Sequence, residues 1–207
     1  MEETSGKEGS REQIIQAAAE LFAERGFTAV SMRDLGRAVE MTPASLYYYF
    51  PGKDVLYRDV LTTVFAGVGT QISAIAASNA SPIEKLETLL AWMGTLFASQ
   101  TTISNLLRRE LLDGDDVRLA FIAKHIFQDM EDDILSFARD ARPDLDAGLL
   151  ATSAVSLVFG YYGISGVRHH LKGTGNRFDD PQIFAKFITN LLLQRPASQK
   201  FQGEPHD

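Results

Sequence analysis

The chain has 207 residues, 45% of them hydrophobic and 23% charged, with no cysteine and a formal net charge of −7. That length leaves room for a small unit beside a larger one with a core of its own. Disulfides, thiolate metal sites and cysteine nucleophiles are excluded, which fits a cytoplasmic protein, and so acidic a chain is not a non-specific nucleic-acid coater.

Residues 1–10 are polar and mixed in charge, without the basic and apolar regions of a secretory signal, and are expected to be a flexible lead-in. From there on nearly every segment shows helical period and none alternates as a strand would, so the expected fold is all-α, with about nine helices. A first helix over 11–25, capped by Ser10, places Ile14, Ala18, Leu21 and Phe22 on one stripe and ends at Gly26, where glycine takes the left-handed conformation without strain. Ser31 caps a short second helix, with Asp34 at the capping-box position. A third opens at Thr42, carries Pro43 at its first position and stops by Phe50, before Pro51-Gly52. Helices of about seven residues do not persist alone, so both must dock on the first, giving a three-helix unit over 11–55.

Residues 56–195 read as a larger helical domain. A long helix begins near Lys53 and turns Leu56, Leu61, Val64, Phe65, Val68 and Ile72 inward; Ser81-Pro82-Ile83-Glu84 is a capping box opening the next. A shorter helix over 104–112 ends at Asp113-Gly114, and one continuous helix is expected over 116–139, broken by Arg142-Pro143. Asp144 is expected to cap the apolar helix that follows. Residues 147–167 contain no charge, about the length that crosses a bilayer, but four Ser/Thr residues interrupt them. Gly160, Gly163 and Gly166, three apart, would let another helix approach, so a buried helix is the reading and no membrane partner is expected. A loop at 172–177, a last helix over 181–195 and a disordered tail over 196–207 complete the chain.

Chemistry concentrates at 31–50. Two short helices joined by the tight turn Glu40-Met41 have the dimensions of a helix-turn-helix, whose second helix enters the major groove. Thr42 and the free N–H groups of the first turn can hold a phosphate. Pro43, Ala44 and Ser45 are small enough for close approach to base edges, and Ser45 can donate or accept there. Tyr47 and Tyr48 offer hydroxyls to phosphates, with Lys53 following, while Leu46, Tyr49 and Phe50 point to the core. Such phosphate contacts set register without reading sequence.

Residues 11–56 resemble the DNA-binding domain of the TetR family of transcriptional regulators. The likeness runs through Leu21-Phe22, Arg25-Gly26-Phe27, Ser31-Met32-Arg33-Asp34-Leu35 and the stretch from Thr42 to Lys53. It implies an all-α fold, a C-terminal ligand-binding domain, a dimer made by the last two helices, and repression of operator DNA that a small ligand relieves. It also implies DNA contacts at Ser31, Arg33, Thr42, Ala44, Ser45, Tyr47, Tyr48 and Lys53. Two residues depart from the family pattern. Glu40 replaces a turn glycine, so a left-handed backbone there would carry strain of about 1 kcal/mol, and Tyr49 stands where histidine is frequent. Residues 1–55 hold six Lys/Arg against nine Asp/Glu, so the basic strip formed by Arg25, Arg33, Arg37 and Lys53 is expected to be narrow.

The helices over about 147–171 and 181–195 have more apolar surface than one partner needs, and pairing with their copies about a two-fold axis would bury it. Trp92, Phe97, Phe121, His125, Phe159 and Tyr162 are expected to line a pocket for a hydrophobic or aromatic effector. Arg108, Arg109 and Glu110 read as a salt-bridge group, the alternative being an anchor for a ligand acid, and His169-His170 as a response to a helix dipole, with no cofactor or metal expected. No Glu-x-x-His, His-Glu-x-x-His, Walker loop or Gly-x-Ser-x-Gly occurs, so the chain does not read as an enzyme. An activator or a ligand-independent regulator of the same fold is the alternative, since the sign of regulation depends on where the operator lies.

Overall fold

The computed structural model describes residues 2–99, 102–172 and 179–193, and every regular element among them is helical. Three helices, α1 (Glu2–Arg25), α2 (Met32–Ala38) and α3 (Pro43–Tyr49), form the N-terminal unit. The long α4 (Lys53–Ala77) leads out of it to α5 (Pro82–Ala98), α6 (Thr102–Asp113), α7 (Asp116–Ile122), a π-helical turn (Ala123–Phe127), α8 (Gln128–Ala141), α9 (Ala147–Gly163), the single-turn α10 (Ser165–Arg168) and α11 (Pro181–Leu193).

The expected apolar stripe of α1 is buried at Ile14, Ala18 and Phe22 and half-buried at Leu21. Leu35 of α2, Leu46 and Phe50 at α3, and Leu56 and Tyr57 of α4 close over it, each at most 2% exposed. This core does not stop at the head. It continues along α4 through Leu61, Phe65, Val68 and Ile72 to Leu106, Ile122, Ile126 and Met130. By length and composition α4 could cross a membrane, but its apolar side is spent on this core. A second core joins Leu86, Leu90 and Phe97 of α5 to Ala154, Val158 and Tyr162 of α9 and Phe184 and Ile188 of α11.

Four expectations are corrected. The segment 1–10, expected to be a flexible lead-in, is helical from Glu2, so Ser10 lies inside α1 rather than capping it; Glu2, Glu3, Lys7 and Glu8 are good helix formers, and acids suit a helix N-terminus. The helix over 116–139 is two helices around a π turn. Its apolar residues Ile122, Ile126, Met130 and Ile134 are four apart, and each such step drifts about 40° round a regular helix. One wide turn lets Ile122, Ile126 and Met130 all stay buried. Asp146, not Asp144, caps α9 by accepting from the Leu149 N–H at 2.7 Å, because both Asp144 oxygens are held by Arg142 at 2.7 and 2.8 Å. The apolar run over 147–167 also breaks after Gly163, where Ile164 leaves the helical region, so α9 has 17 residues. A Cβ at Gly160, Gly163 or Gly166 would meet nothing within 4 Å, so the described residues supply no close partner there. Residues 173–177 of the expected loop and all beyond 193 lie outside the described residues.

Gly26 and Gly114 end α1 and α6 with φ +82° and +63°. Glu40 sits at φ +55°, the left-handed backbone that a side chain resists. Glu40→Gly is therefore expected to stabilise the protein by up to about 1 kcal/mol, the relieved strain exceeding the entropy that glycine adds to the unfolded chain. A rise in the urea midpoint checks this, and an unchanged or lower midpoint would mean the turn is unstrained.

Candidate nucleic-acid interface

Local rules build the reading head. Ser31 accepts from the Asp34 N–H at 3.2 Å while the Asp34 carboxylate accepts from the Ser31 N–H at 3.0 Å, a reciprocal box that starts α2. Hydrogen bonds from the Ser31 side chain and backbone hold the Asp34 carboxyl below its ordinary pKa. Thr42 Oγ1 accepts from the Ser45 N–H at 3.1 Å and lies 2.9 Å from Ser45 Oγ, which fixes the first turn of α3 behind Pro43.

Leu46 and Phe50, both fully buried, anchor α3 from below. The helix period then forces the residues between them outward: Ala44 and Ser45 are exposed, and Tyr47 and Tyr48 are 51% and 69% exposed. Tyr49 is half-buried against the core, edge-on to Tyr48 with ring centres 5.4 Å apart. Where the N-terminal ends of α2 and α3 meet, a concavity of about 560 Å³ is lined by Ser31, Arg33, Pro43, Tyr47 and Lys53 with the loop residues before them. Five of the nine expected DNA-contact residues thus share one groove, and Thr42, Ala44, Ser45 and Tyr48 lie on the adjoining exposed face of α3. Lys53 is not a bare charge. Its ammonium donates to the Phe27 and Val30 carbonyls at 2.9 and 3.0 Å and sits 4.2 Å from the Phe27 ring centre. An ammonium has three N–H groups, so two are used here and one remains.

The six expected effector-pocket residues do not share one place. Phe97 and Phe159 meet edge-on at 5.4 Å in the second core, with Tyr162 buried beside them. Trp92 packs on the first core. Phe121 and His125 face each other at 4.8 Å across the π turn, and His125 is exposed. Burial pushes the Tyr162 hydroxyl up to about 12, and that hydroxyl has no hydrogen-bond partner among the described residues. It abuts Gly94, where a Cβ would lie 3.0 Å from it. Asp179 holds His169 at 2.9 Å and also pairs with Arg168; among the described residues no cluster of three or more His, Asp or Glu could hold a metal ion.

Sequence reasoning passed over the residues that join the head to the helices behind it. Arg109, read as part of a salt-bridge group, instead donates to the Ala23 carbonyl at 2.8 Å and to the Glu24 carbonyl, neutralising the negative end of α1. Glu110 is fully buried, accepting from the Tyr57 hydroxyl at 2.6 Å and from Arg118 Nε at 2.8 Å. The Arg118 guanidinium lies 4.7 Å from the centre of the Phe27 ring, which also meets the rings of Tyr57 and Phe22. Gly36 was missed as well: a Cβ there would come within 2.7 Å of the Met41 carbonyl oxygen. A glycine inside a seven-residue helix, where alanine would favour the helix by about 1 kcal/mol, was the available signal.

Known proteins match this arrangement. The profile described as bacterial regulatory proteins, tetR family, matches residues 14–60. The HTH-type transcriptional repressor KstR2 of Rhodococcus jostii is 34% identical over 89 residues, which cover 43% of this chain and 44% of that protein. The chain spans under half the length of the first curated relatives it matches. Solved structures align further. A TetR-family transcriptional regulator from Bordetella parapertussis matches with 27% identity and a TM-score of 0.63, covering 88% of this chain and 93% of that one. FadR from Bacillus subtilis, solved in complex with stearoyl-CoA, matches with 15% identity and a TM-score of 0.71 over 88% and 97%. Residues 14–60 thus match the profile of bacterial regulatory proteins, tetR family, and the described chain shares its fold with the Bordetella TetR-family regulator.

Proposed function

We propose that the protein is a homodimeric transcriptional repressor that reads a palindromic operator with α3 and releases it when a small hydrophobic or aromatic ligand enters the C-terminal helices. The observation that carries this is the outward presentation of Ala44, Ser45, Tyr47 and Tyr48 on a helix pinned by Leu46 and Phe50, beside a groove floored by Lys53. Small residues at the N-terminus of such a helix suit base edges, and the tyrosine hydroxyls and the remaining Lys53 N–H suit phosphate. The name of the Rhodococcus relative supports repression, and the stearoyl-CoA bound to the Bacillus structure supports an effector with an apolar portion.

Dimerisation is supported by surface left uncovered on the last helices. Leu149, Leu157, Ile164 and Val167 along α9 and α10, and Ile183, Phe187 and Leu191 on α11, are each between 38% and 70% exposed. The open face of Gly160 and Gly163 is continuous in sequence with them. A four-helix contact about a two-fold axis would cover this surface and hold two reading heads for the half-sites of a palindrome.

Selection of bound sequences from a random duplex pool, with the oligomeric state recorded, tests the reading. Enrichment of one palindrome by a dimer is expected. No enrichment from a folded dimer would overturn it. On the selected operator, Tyr48→Ala is expected to weaken dimer binding about a hundredfold, the loss of one charge-assisted hydrogen bond, about tenfold, at each of two heads, without altering helix content; unchanged affinity in a titration would remove Tyr48 from the interface. An effector with an apolar chain, stearoyl-CoA being the probe, should lower operator affinity, and operator should lower effector affinity by the same factor.

A further inference from the structure

A cavity of about 290 Å³ lies where the head meets the C-terminal helices, walled by Phe27 of the α1–α2 loop, Leu61 of α4 and Phe121 of α7. It belongs neither to the DNA-facing groove nor to the second core around Phe97 and Phe159. We propose that it is a second small-molecule site, taking a zwitterion the size of an aromatic amino acid. This goes beyond the operator-reading function and does not depend on it.

The volume sets the size. It falls at the lower edge of the range typical of ligand pockets, about 300–1,000 Å³, which admits a single-ring molecule and no long acyl chain. The walls set the body, because three apolar side chains from three elements form a slot for a ring.

The polar groups set the head chemistry. Arg118 and Asp115 also line the cavity, but the guanidinium is engaged by Glu110, Asp113 and Asp115, and the Asp115 carboxylate by the Arg118 side chain and backbone N–H. Asp54 and Arg58 are different. They line the cavity from one face of α4, one helical turn apart. Acid before base at this spacing is the favourable order for an ion pair, yet no ion pair forms between them, and neither has a hydrogen-bond partner among the described residues. The Arg58 guanidinium instead lies 5.5 Å from the centre of the Phe121 ring. Asp54 stands in the first turn of α4, where the helix dipole favours its charge without a partner. One carboxylate and one guanidinium, each with open valences, thus flank an aromatic slot. That pair complements the ammonium and carboxylate of an amino acid whose ring enters the slot. Because the bound molecule would touch both Phe27 and Phe121, its affinity must depend on how the head sits against α7.

The test is isothermal titration of the full chain, without DNA, with L-phenylalanine, 3-phenylpropionate and phenethylamine, which carry both charges, the acid alone and the amine alone. Phenylalanine is expected to bind saturably, with each single-charge analogue about tenfold weaker or more. Arg58→Gln should weaken phenylalanine and phenylpropionate about tenfold and leave phenethylamine unchanged; Asp54→Asn should do the converse. Both side chains are exposed, and circular dichroism verifies that the variants fold. No saturable binding of phenylalanine up to millimolar concentration, binding indifferent to both substitutions, or tighter binding of a single-charge analogue would each overturn the proposal. Because no operator enters the experiment, its failure is separate from any failure of DNA reading.

Discussion

Glu110→Ala is expected to lower stability by about 3 kcal/mol, the low end of what removing one partner of a buried ion pair costs. The carboxylate is fully buried and accepts from Tyr57 and Arg118. Without it the Tyr57 hydroxyl is buried with no acceptor, and Arg118 keeps only its contacts to Asp113 and Asp115 near the surface. Those two remaining acids are why the low end applies. Burial, reinforced by the hydrogen bond to Glu110, already pushes the Tyr57 phenol far above its ordinary ionisation range, so the hydroxyl cannot adapt by losing its proton. Urea unfolding followed by circular dichroism measures the loss. Glu110→Gln, whose single carbonyl oxygen can replace only one of the two acceptors that serve Tyr57 and Arg118, should fall between the wild type and alanine variants. A loss below about 1 kcal/mol for alanine would show that water or rearranged side chains replace the carboxylate. The network also seats Arg118 over Phe27, so its removal should loosen the head against α7 and weaken operator binding beyond what global stability explains.

Gly36→Ala sets a local rule against a tertiary one. Helix propensity alone favours alanine by about 1 kcal/mol. The added Cβ, however, would stand 2.7 Å from the Met41 carbonyl oxygen, a backbone atom held in place by the Met41 N–H bond to the Gly36 carbonyl at 2.8 Å. Relief requires α3 to move away from α2, an overpacking cost of about 1–3 kcal/mol that outweighs the propensity gain. The expected result is a net destabilisation and at least a tenfold fall in operator affinity, since a displaced reading helix no longer matches both half-sites. A variant that melts higher and binds as well as wild type would show that the two helices need no such close approach.

The ends of the short helices were legible in sequence because caps and stops act within four residues. Ser31 with Asp34, Thr42 with Pro43, Ser81 with Glu84, and Gly26 at positive φ each stand as composition and spacing predict. The outward face of α3 was legible for the same reason, once Leu46 and Phe50 were assigned inward. Glu40 is a related case, a non-glycine residue with a left-handed backbone at the turn position where the family resemblance implied glycine.

What sequence by itself determined about this protein is therefore its helical class, the three-helix head and the surface that head presents, all set by local hydrogen bonding and period. Only the tertiary structure decided the rest, because it turns on which groups meet over long separations. Arg109 bonds to carbonyls 85 and 86 residues away, and Tyr57 to Glu110 53 away, pairings that no local spacing encodes. Asp144 lost the cap of α9 to Asp146 because Arg142, tied to the Leu192 carbonyl of α11, claimed its carboxylate. The π turn arose because residues four apart had to stay on one buried face. The aromatic residues expected in one pocket separated for the same reason: each followed the face of its own helix, and helix packing sent those faces to different cores.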